Sequence, residues 1–536
     1  MKPFTSQIVT FLSQTFILVT LTLLRFNLAL KYDVEQFLGC LPLHSNASMP
    51  INKAIYTPKD ASFPSILQAY IRNLRFNLST TPKPLAIVAA LDKSHVQATV
   101  VCARAAGLEI RIRSGGHDYE GLSYVSPNPF VILDLFNLRS IDIDLETETC
   151  WVESGAVLGE LYYNIANKSN TLAFPAGVCT TVGVGGHFSG GGYGTLLRKF
   201  GLTVDHVIDA EIVDPNGRIL DRKMMGEDLF WAIRGGGAAS FGVVLRWKIE
   251  LVRVPDTVTT FLVQKSLDEN LTDIFYQWQN VAPMIDPNLF LRVQANIGHD
   301  IQKGNKTNKF LQLSFIALYL GKAKDLVDLM DKEYPQLGLH PNDCTEQRWV
   351  ESHLLFNNLP MNTSLNIILS RVPHMSLTYD KHKSDYVEEA IPKAGLDGLW
   401  KKLIELENVT MQFNPYGGKM AEISEEATPF PHRKGKLFKI QYLAYWHDGS
   451  PEAIDRNMKA TRDVYEFMMP FVSKNPREAF LNYRDIDIGT NVGNSTDFAV
   501  DFFKGNLKRL LMVKAKVDPT NFFRYEQSIP VLTYYK

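Results

Sequence analysis

Two glycine-rich stretches carry the residues best placed to do chemistry. Arg113-Ser114-Gly115-Gly116-His117-Asp118-Tyr119-Glu120-Gly121 follows the apolar run 108–112 and offers an imidazole. The stretch 174–194 holds a thiol, Cys179, at its mouth and then Gly183, Gly186, His187, Gly190 and Gly192. Glycine admits positive φ and removes the side chain, so successive N–H groups can converge on an anion such as a pyrophosphate. The offsets fit neither G-x-G-x-x-G nor G-x-x-x-x-G-K-[ST], which leaves a glycine-rich nucleotide site of another kind. Spacing alone is met equally well by two tight turns with a buried thiol and a surface histidine.

Taken together, the two stretches resemble the plant berberine bridge enzyme-like flavoproteins, FAD-linked oxidases of the vanillyl-alcohol oxidase superfamily. The resemblance continues through Asn482-Tyr483-Arg484-Asp485-Ile486-Asp487-Ile488-Gly489 and Asp518-Pro519-Thr520-Asn521-Phe522-Phe523, so it spans nearly the whole chain beyond its N-terminal segment. It implies FAD attached twice, through His117 to the 8α-carbon and through Cys179 to C6, with noncovalent FAD as the alternative. The expected cofactor contacts are Arg113, Ser114, Gly115, Gly116, Gly121, Gly183, Gly186, His187, Gly190, Gly192 and Asn521, with Arg113 and the glycine amides facing the pyrophosphate.

Outside these loops the informative stretch is 437–446. Period-two alternation sends Phe438, Ile440, Tyr442, Ala444 and Trp446 to an apolar core face and Lys439, Gln441, Leu443 and Tyr445 to the other. For an isolated strand that second face reads as solvated; in the resembled family it covers the flavin. Oxidation of a hydroxyl needs a base that takes the alcohol proton as hydride leaves carbon. The resemblance assigns that base to Tyr483, an ordinary tyrosine having a pKa of ~10. A Lys439 ammonium is expected to favour the phenolate, while Gln441, Tyr119 and Tyr193 orient the substrate. Alternatively, Tyr483 merely packs with its hydroxyl satisfied. Alkaloid-cyclising members place a glutamate base in this region, so lysine and glutamine here disfavour that reaction. Val182 matches the family's oxygen-gating position, where valine accompanies oxidases, so O2 is the expected acceptor and H2O2 the product.

The elements that must position these groups form an α+β protein. Strands and one helix over 85–133 are followed by short strands to residue 255, and long antiparallel strands with helices follow over 256–475. The expected organisation is a signal peptide over 1–30, a FAD-binding domain over 31–255, a substrate domain with one large antiparallel sheet backed by helices over 256–475, and a C-terminal segment, 476–536, returning to the first domain. The 536 residues balance 56 basic against 57 acidic side chains, so nucleic acid has no footprint in the composition. The N-terminal apolar run falls short of the ~20 residues that span a bilayer and reads as secretory. Eight sequons, at Asn46, Asn77, Asn167, Asn270, Asn305, Asn362, Asn408 and Asn494, fit a glycoprotein of the cell wall, extracellular space, an ER-derived vesicle or the vacuole. Five cysteines leave at least one unpaired; the resemblance pairs Cys40 with Cys102. No metal-ligand spacing stands out. The resulting expectation is a monomeric oxidase acting on the hydroxyl of a saccharide or phenylpropanoid-type alcohol. Its rivals are a specialised-metabolism enzyme catalysing desaturation, oxidative cyclisation or a pericyclic step on a phenolic or alkaloid, and a non-catalytic glycan-binding flavoprotein.

Overall fold

A computed structural model describes residues 34–266, 270–301 and 307–532. The signal segment and Asn305 lie outside them. A helix over 34–44 is tied by the Cys40–Cys102 disulfide to the helix Lys93–Ala106. Asp92 caps that helix by accepting from the Ser94 N–H, and Gly107 ends it at φ 72°, a left-handed conformation that glycine adopts without cost to a side chain.

The first sheet is built from β1 (Ile55–Tyr56), β2 (Ala86–Ala89), β3 (Glu109–Arg113) and β4 (Phe130–Asp134) in the order β1-β2-β4-β3. Both β2 and β3 run parallel to β4, which inserts between them. Consequently the loop carrying His117 leaves the C-terminal edge of a parallel trio, where ligands commonly collect. A second, antiparallel sheet combines β5 (Ile141–Asp144), β6 (Thr149–Glu153), β8 (Val207–Val213), β9 (Ile219–Leu220) and β10 (Val243–Glu250), while β7 (Leu172–Ala173) pairs with β11 (Val252–Arg253). Strand pairing breaks at buried Leu251, where the chain passes from β10 to β11 and changes partner.

The third sheet has seven antiparallel strands: β12 (Val258–Ser266), β13 (Leu289–Ile301), β14 (Thr307–Tyr319), β15 (Cys344–Gln347), β16 (Tyr379–Val387), β17 (Val409–Pro415) and β18 (Phe438–Trp446), ordered β15-β12-β14-β13-β17-β18-β16. Helices Leu271–Val281, Ala323–Glu333, Lys393–Leu406 and Pro451–Phe467 cover one face and form with it a single apolar core that includes Phe438, Ile440, Tyr442, Ala444 and Trp446. The opposite face turns toward the glycine loops. Between β15 and β16 the chain leaves this sheet, and Trp349, Val350, Leu354 and Ile368 pack into the core of residues 150–258 together with Phe498, Phe502 and Ile529. No helix among the described residues is long and apolar enough to cross a membrane.

Charge is buried where the C-terminal segment meets the large sheet. Asp385 accepts two hydrogen bonds from Arg477. Nearby, burial pushes the Asp501 carboxyl up to about 7, against the pull of Arg477 and with help from Asp385, Asp497 and Glu478. An acid whose folded-state pKa is raised weakens the fold as pH climbs from its unfolded value, about 4, through 7. Asp501→Asn is expected to raise Tm at pH 8 and to leave it unchanged at pH 4. Equal melting curves at pH 8 would contradict this.

Candidate active site

The two glycine loops touch. A Cβ on Gly115 would run into the Gly183 backbone, and one on Gly183 into the Gly115 backbone and the Ser114 hydroxyl, so the approach requires glycine on both sides. Thr181, inside the turn that Cys179 opens and the Val182 N–H closes, sits between the loops. Its hydroxyl lies 2.9 Å from His117 Nε2 and 3.6 Å from the exposed Cys179 sulfur. Burial and the Arg72 charge lower the His117 pKa to about 3, so the imidazole is neutral and nucleophilic. Arg72 donates to the Arg371 carbonyl and leaves its Nε buried without a partner. Asn357, from the excursion between β15 and β16, donates to the Val178 carbonyl and braces the cysteine turn.

Several expected cofactor contacts have other work. Arg113 is fully buried, and its guanidinium engages Asp134 at 2.7 and 3.1 Å and the carbonyls of Ile66 and Leu67, so it braces strand ends and does not face a pyrophosphate. Ser114 donates to the Ser154 carbonyl. The N–H groups of Gly121 and Gly190 are engaged by the carbonyls of Asp118 and Phe188. Gly121 makes room for Phe76, Gly190 for Asn482 and Gly192 for Thr203, so all three serve packing. His187 accepts the Gly177 N–H through Nε2, and its carbonyl takes the Asn482 amide. By contrast, Gly186 opens onto free space, and the buried polar atoms Ser154 Oγ and Asn521 Oδ1 have no protein partner. Touching glycine loops, an open glycine and the unpaired Ser154 hydroxyl beside Gly185 fit a nucleotide cofactor lying along this seam.

Facing the loops, β18 presents Lys439, Gln441 and Leu443, all buried, with Tyr445 49% exposed at the rim. The Tyr483 and Tyr193 hydroxyls hydrogen-bond to each other. Gln441 donates to the Tyr119 hydroxyl at 2.7 Å, and the Tyr119 ring lies 5.7 Å from that of Tyr483. Ion pairs hold these rings in place. Asp118 binds Arg484 at 3.0 Å, and Glu120 and Asp485 share Lys381 at 2.5 and 2.6 Å, so residues flanking Tyr119 are linked to residues flanking Tyr483.

Lys439 does not sit where an ammonium would meet a phenolate oxygen. Its Nζ lies 3.3 Å from the Tyr193 ring centroid and 4.4 Å from that of Tyr483, with no hydrogen-bond acceptor. Burial, reinforced by the Arg292 charge, holds its pKa well below that of an ordinary lysine. Burial likewise raises Tyr483 well above an ordinary tyrosine. Desolvation therefore disfavours both charged partners of the expected phenolate–ammonium pair. The fixed charge comes from a residue the alternation had not singled out. Arg292 on β13 is buried, donates to Asn414 and offsets part of the burial that raises Tyr193. An arginine between apolar neighbours, Phe290-Leu291-Arg292-Val293, was its signal in the sequence. His382, stacked on Tyr119 at 3.8 Å and paired with Asp380 at 2.9 Å, was also missed.

Cys40, His44 and Cys102 form a compact trio, but both sulfurs are joined in the disulfide and are not free thiolates. Cys150 is buried and Cys344 half-buried, and burial raises both thiols.

Residues 84–222, which contain both glycine loops, match the family model of an FAD binding domain. The chain is thus an FAD-linked oxidoreductase. Residues 479–530, with Tyr483 and Asn521, match the model described as berberine and berberine like. Berberine bridge enzyme-like 8 of Arabidopsis thaliana is 51% identical over 508 residues, covering 93% of this chain and 95% of the relative. The solved structure of BBE-like #28 from Arabidopsis thaliana has a TM-score of 0.86 at 45% identity, covering 93% of this chain and 100% of that one. Phl p 4, a grass pollen allergen, has a TM-score of 0.85 at 43% identity, covering 92% and 99%. With these matches the chain belongs to the berberine bridge enzyme-like FAD-linked oxidases.

Proposed function

We propose that the protein oxidises a hydroxyl-bearing carbon of a saccharide, or of a phenylpropanoid-type alcohol, and passes the electrons to O2 with release of H2O2. The observation that carries this reading is the Tyr483–Tyr193 hydroxyl pair, set beside Lys439 and Gln441 with no carboxylate base among them. Such a set suits removal of an alcohol proton and is poorly matched to a reaction needing a glutamate. FAD, when bound, supplies the hydride acceptor. His117 and Cys179, both beside the Thr181 hydroxyl, are the residues that would hold it covalently. Gln441 and Tyr119 orient the reacting hydroxyl, and Tyr483, once deprotonated, receives its proton, with Lys439 packed against the Tyr483 ring. Burial of Lys439 and Gln441 keeps competing water away from the transfer.

Relatives support the substrate class. Phl p 4 is a grass pollen allergen with glucose dehydrogenase activity, and an isoleucine-to-valine variant of it is a glucose oxidase. Val182 here lies three residues beyond Cys179 and is half-buried. We take it as the residue that lets O2 reach the site. Passage through the secretory pathway is proposed with it: the sequon residues Asn46, Asn167, Asn270, Asn362, Asn408 and Asn494 are exposed, and Asn77 is half-buried.

Anaerobic mixing with saccharide and aromatic-alcohol panels should bleach the flavin absorbance, and readmitted O2 should restore it with peroxide. Absence of bleaching across both panels would overturn the proposal. Val182→Leu is expected to slow the oxygen phase while leaving the bleaching phase unchanged; equal slowing of both would remove the gating role.

A further inference from the structure

β16 closes one edge of the seven-stranded sheet, and the segment that enters the 3-10 helix Leu74–Phe76 docks along it. Asn73 bridges to Thr378, and the Leu74 N–H donates to the Thr378 carbonyl at 2.9 Å. Register pairs His382 with Leu443 and Ser384 with Gln441, so the imidazole and the Gln441 amide share the face turned toward the glycine loops. The preceding residue, Lys381, faces the other side of the sheet and binds Glu120 at 2.5 Å. Consecutive residues of β16 therefore hold the Tyr119 segment twice. Lys381 does so through the neighbouring Glu120, and His382 through the ring itself.

The imidazole stacks on Tyr119 with ring centroids 3.8 Å apart and planes 26° apart. A closed circuit of polar contacts fixes it there. Its Nε2 lies 2.9 Å from Asp380 Oδ1. The same Oδ1 accepts from the Asn73 amide at 2.8 Å, and that amide also donates to the Tyr119 carbonyl at 3.2 Å. Asn73 thus holds both the backbone of Tyr119 and the carboxylate that anchors the ring stacked on it. Asp380 and His382 are buried, and His382 Nδ1 has no partner among the described residues. An apolar side chain, such as the register partner Leu443, would fill this place without a desolvated ion pair or an unpaired nitrogen, both of which cost stability. The imidazole is better explained by what it does to Tyr119. That hydroxyl accepts the Gln441 amide at 2.7 Å, which leaves its own proton for a substrate oxygen. A ring displaced by about 1 Å loses this alignment.

Resting on the alcohol-oxidation reading above, we infer that His382, anchored by Asp380 and Asn73, is a positioning residue that holds the Tyr119 hydroxyl between Gln441 and the reacting alcohol. Removing the imidazole (His382→Ala) should slow anaerobic flavin reduction at saturating alcohol about 10- to 100-fold. The half-saturating concentration should change less than about threefold, because the alcohol still binds and is only misaligned. The effect passes through one hydroxyl. In a Tyr119→Phe background, which keeps the ring and drops that hydroxyl, the same His382→Ala substitution should therefore change the rate less than about threefold. His382→Gln, which retains a donor for Asp380, takes the place of the alanine variant in this cycle if the alanine protein does not retain its flavin. Equal losses in the two backgrounds would report a general loosening of the fold and overturn the inference. An unchanged reduction rate in His382→Ala, or a variant impaired only in half-saturating concentration, overturns it as well and leaves the oxidation reading standing. Failure of every alcohol to bleach the unmodified enzyme overturns both.

Discussion

Acid-precipitated protein carrying alanine at both His117 and Cys179 should come down colourless, whereas the unmodified holoprotein comes down yellow. Precipitation destroys every noncovalent contact, so colour that persists reports covalent attachment alone. Each single variant should keep its colour through the bond that remains. The geometry gives a reason for each residue. His117 is kept neutral by burial and by Arg72, and with Nε2 held by Thr181 its other ring nitrogen is free to act as nucleophile. Cys179 is exposed, and its sulfur lies 3.6 Å from the same hydroxyl, so both groups stand within reach of one cofactor edge. Loss of flavin from the double variant should be nearly complete in absorbance after washing. A yellow precipitate from the double variant would move the tethers elsewhere, and a colourless one from the unmodified protein would abolish them.

Strong periodicity was legible in the sequence. The helices Ala323–Glu333 and Pro451–Phe467 supply the helical backing expected over 256–475, and β18 divides its faces as the alternation requires. Legibility fails where burial is continuous and periodicity vanishes. In the helix Arg222–Ile233, Leu229 to Ile233 are all buried and Gly226 interrupts the backbone at φ 70°, so no face stands out. Pairing across sequence distance was equally hidden. That β4 enters between β2 and β3, or that residues 349–368 leave the large sheet to support the cysteine turn, depends on contacts no local pattern encodes. At the site, residue types were readable but their tasks were not. Arg113 and His187 look like ligand contacts in a linear motif, yet each binds the protein itself, whereas Thr181, Arg292 and His382 acquire meaning only beside their neighbours.

Tyr483→Phe should lower kcat about 10²- to 10⁴-fold, the range general-base removal commonly produces, with much less change in KM. Phenylalanine keeps the ring against Lys439 and Phe480 and removes only the oxygen, so a packing role predicts near-normal turnover. The pH profile separates the two more sharply. A base works deprotonated, and burial raises Tyr483, so kcat should climb with pH and the climb should lie on the alkaline side of neutrality. Lys439 softens that requirement. When protonated, its ammonium lies against the rings of Tyr193 and Tyr483 and favours the phenolate through space, although burial and Arg292 hold its pKa below that of an ordinary lysine. Lys439→Met should therefore lower kcat at neutral pH and displace the climb to higher pH, while Tyr483→Phe should abolish the climb. Stopped-flow reduction across pH reads both. A Tyr483→Phe enzyme within tenfold of normal, or one that retains the alkaline climb, would take the base role from this tyrosine.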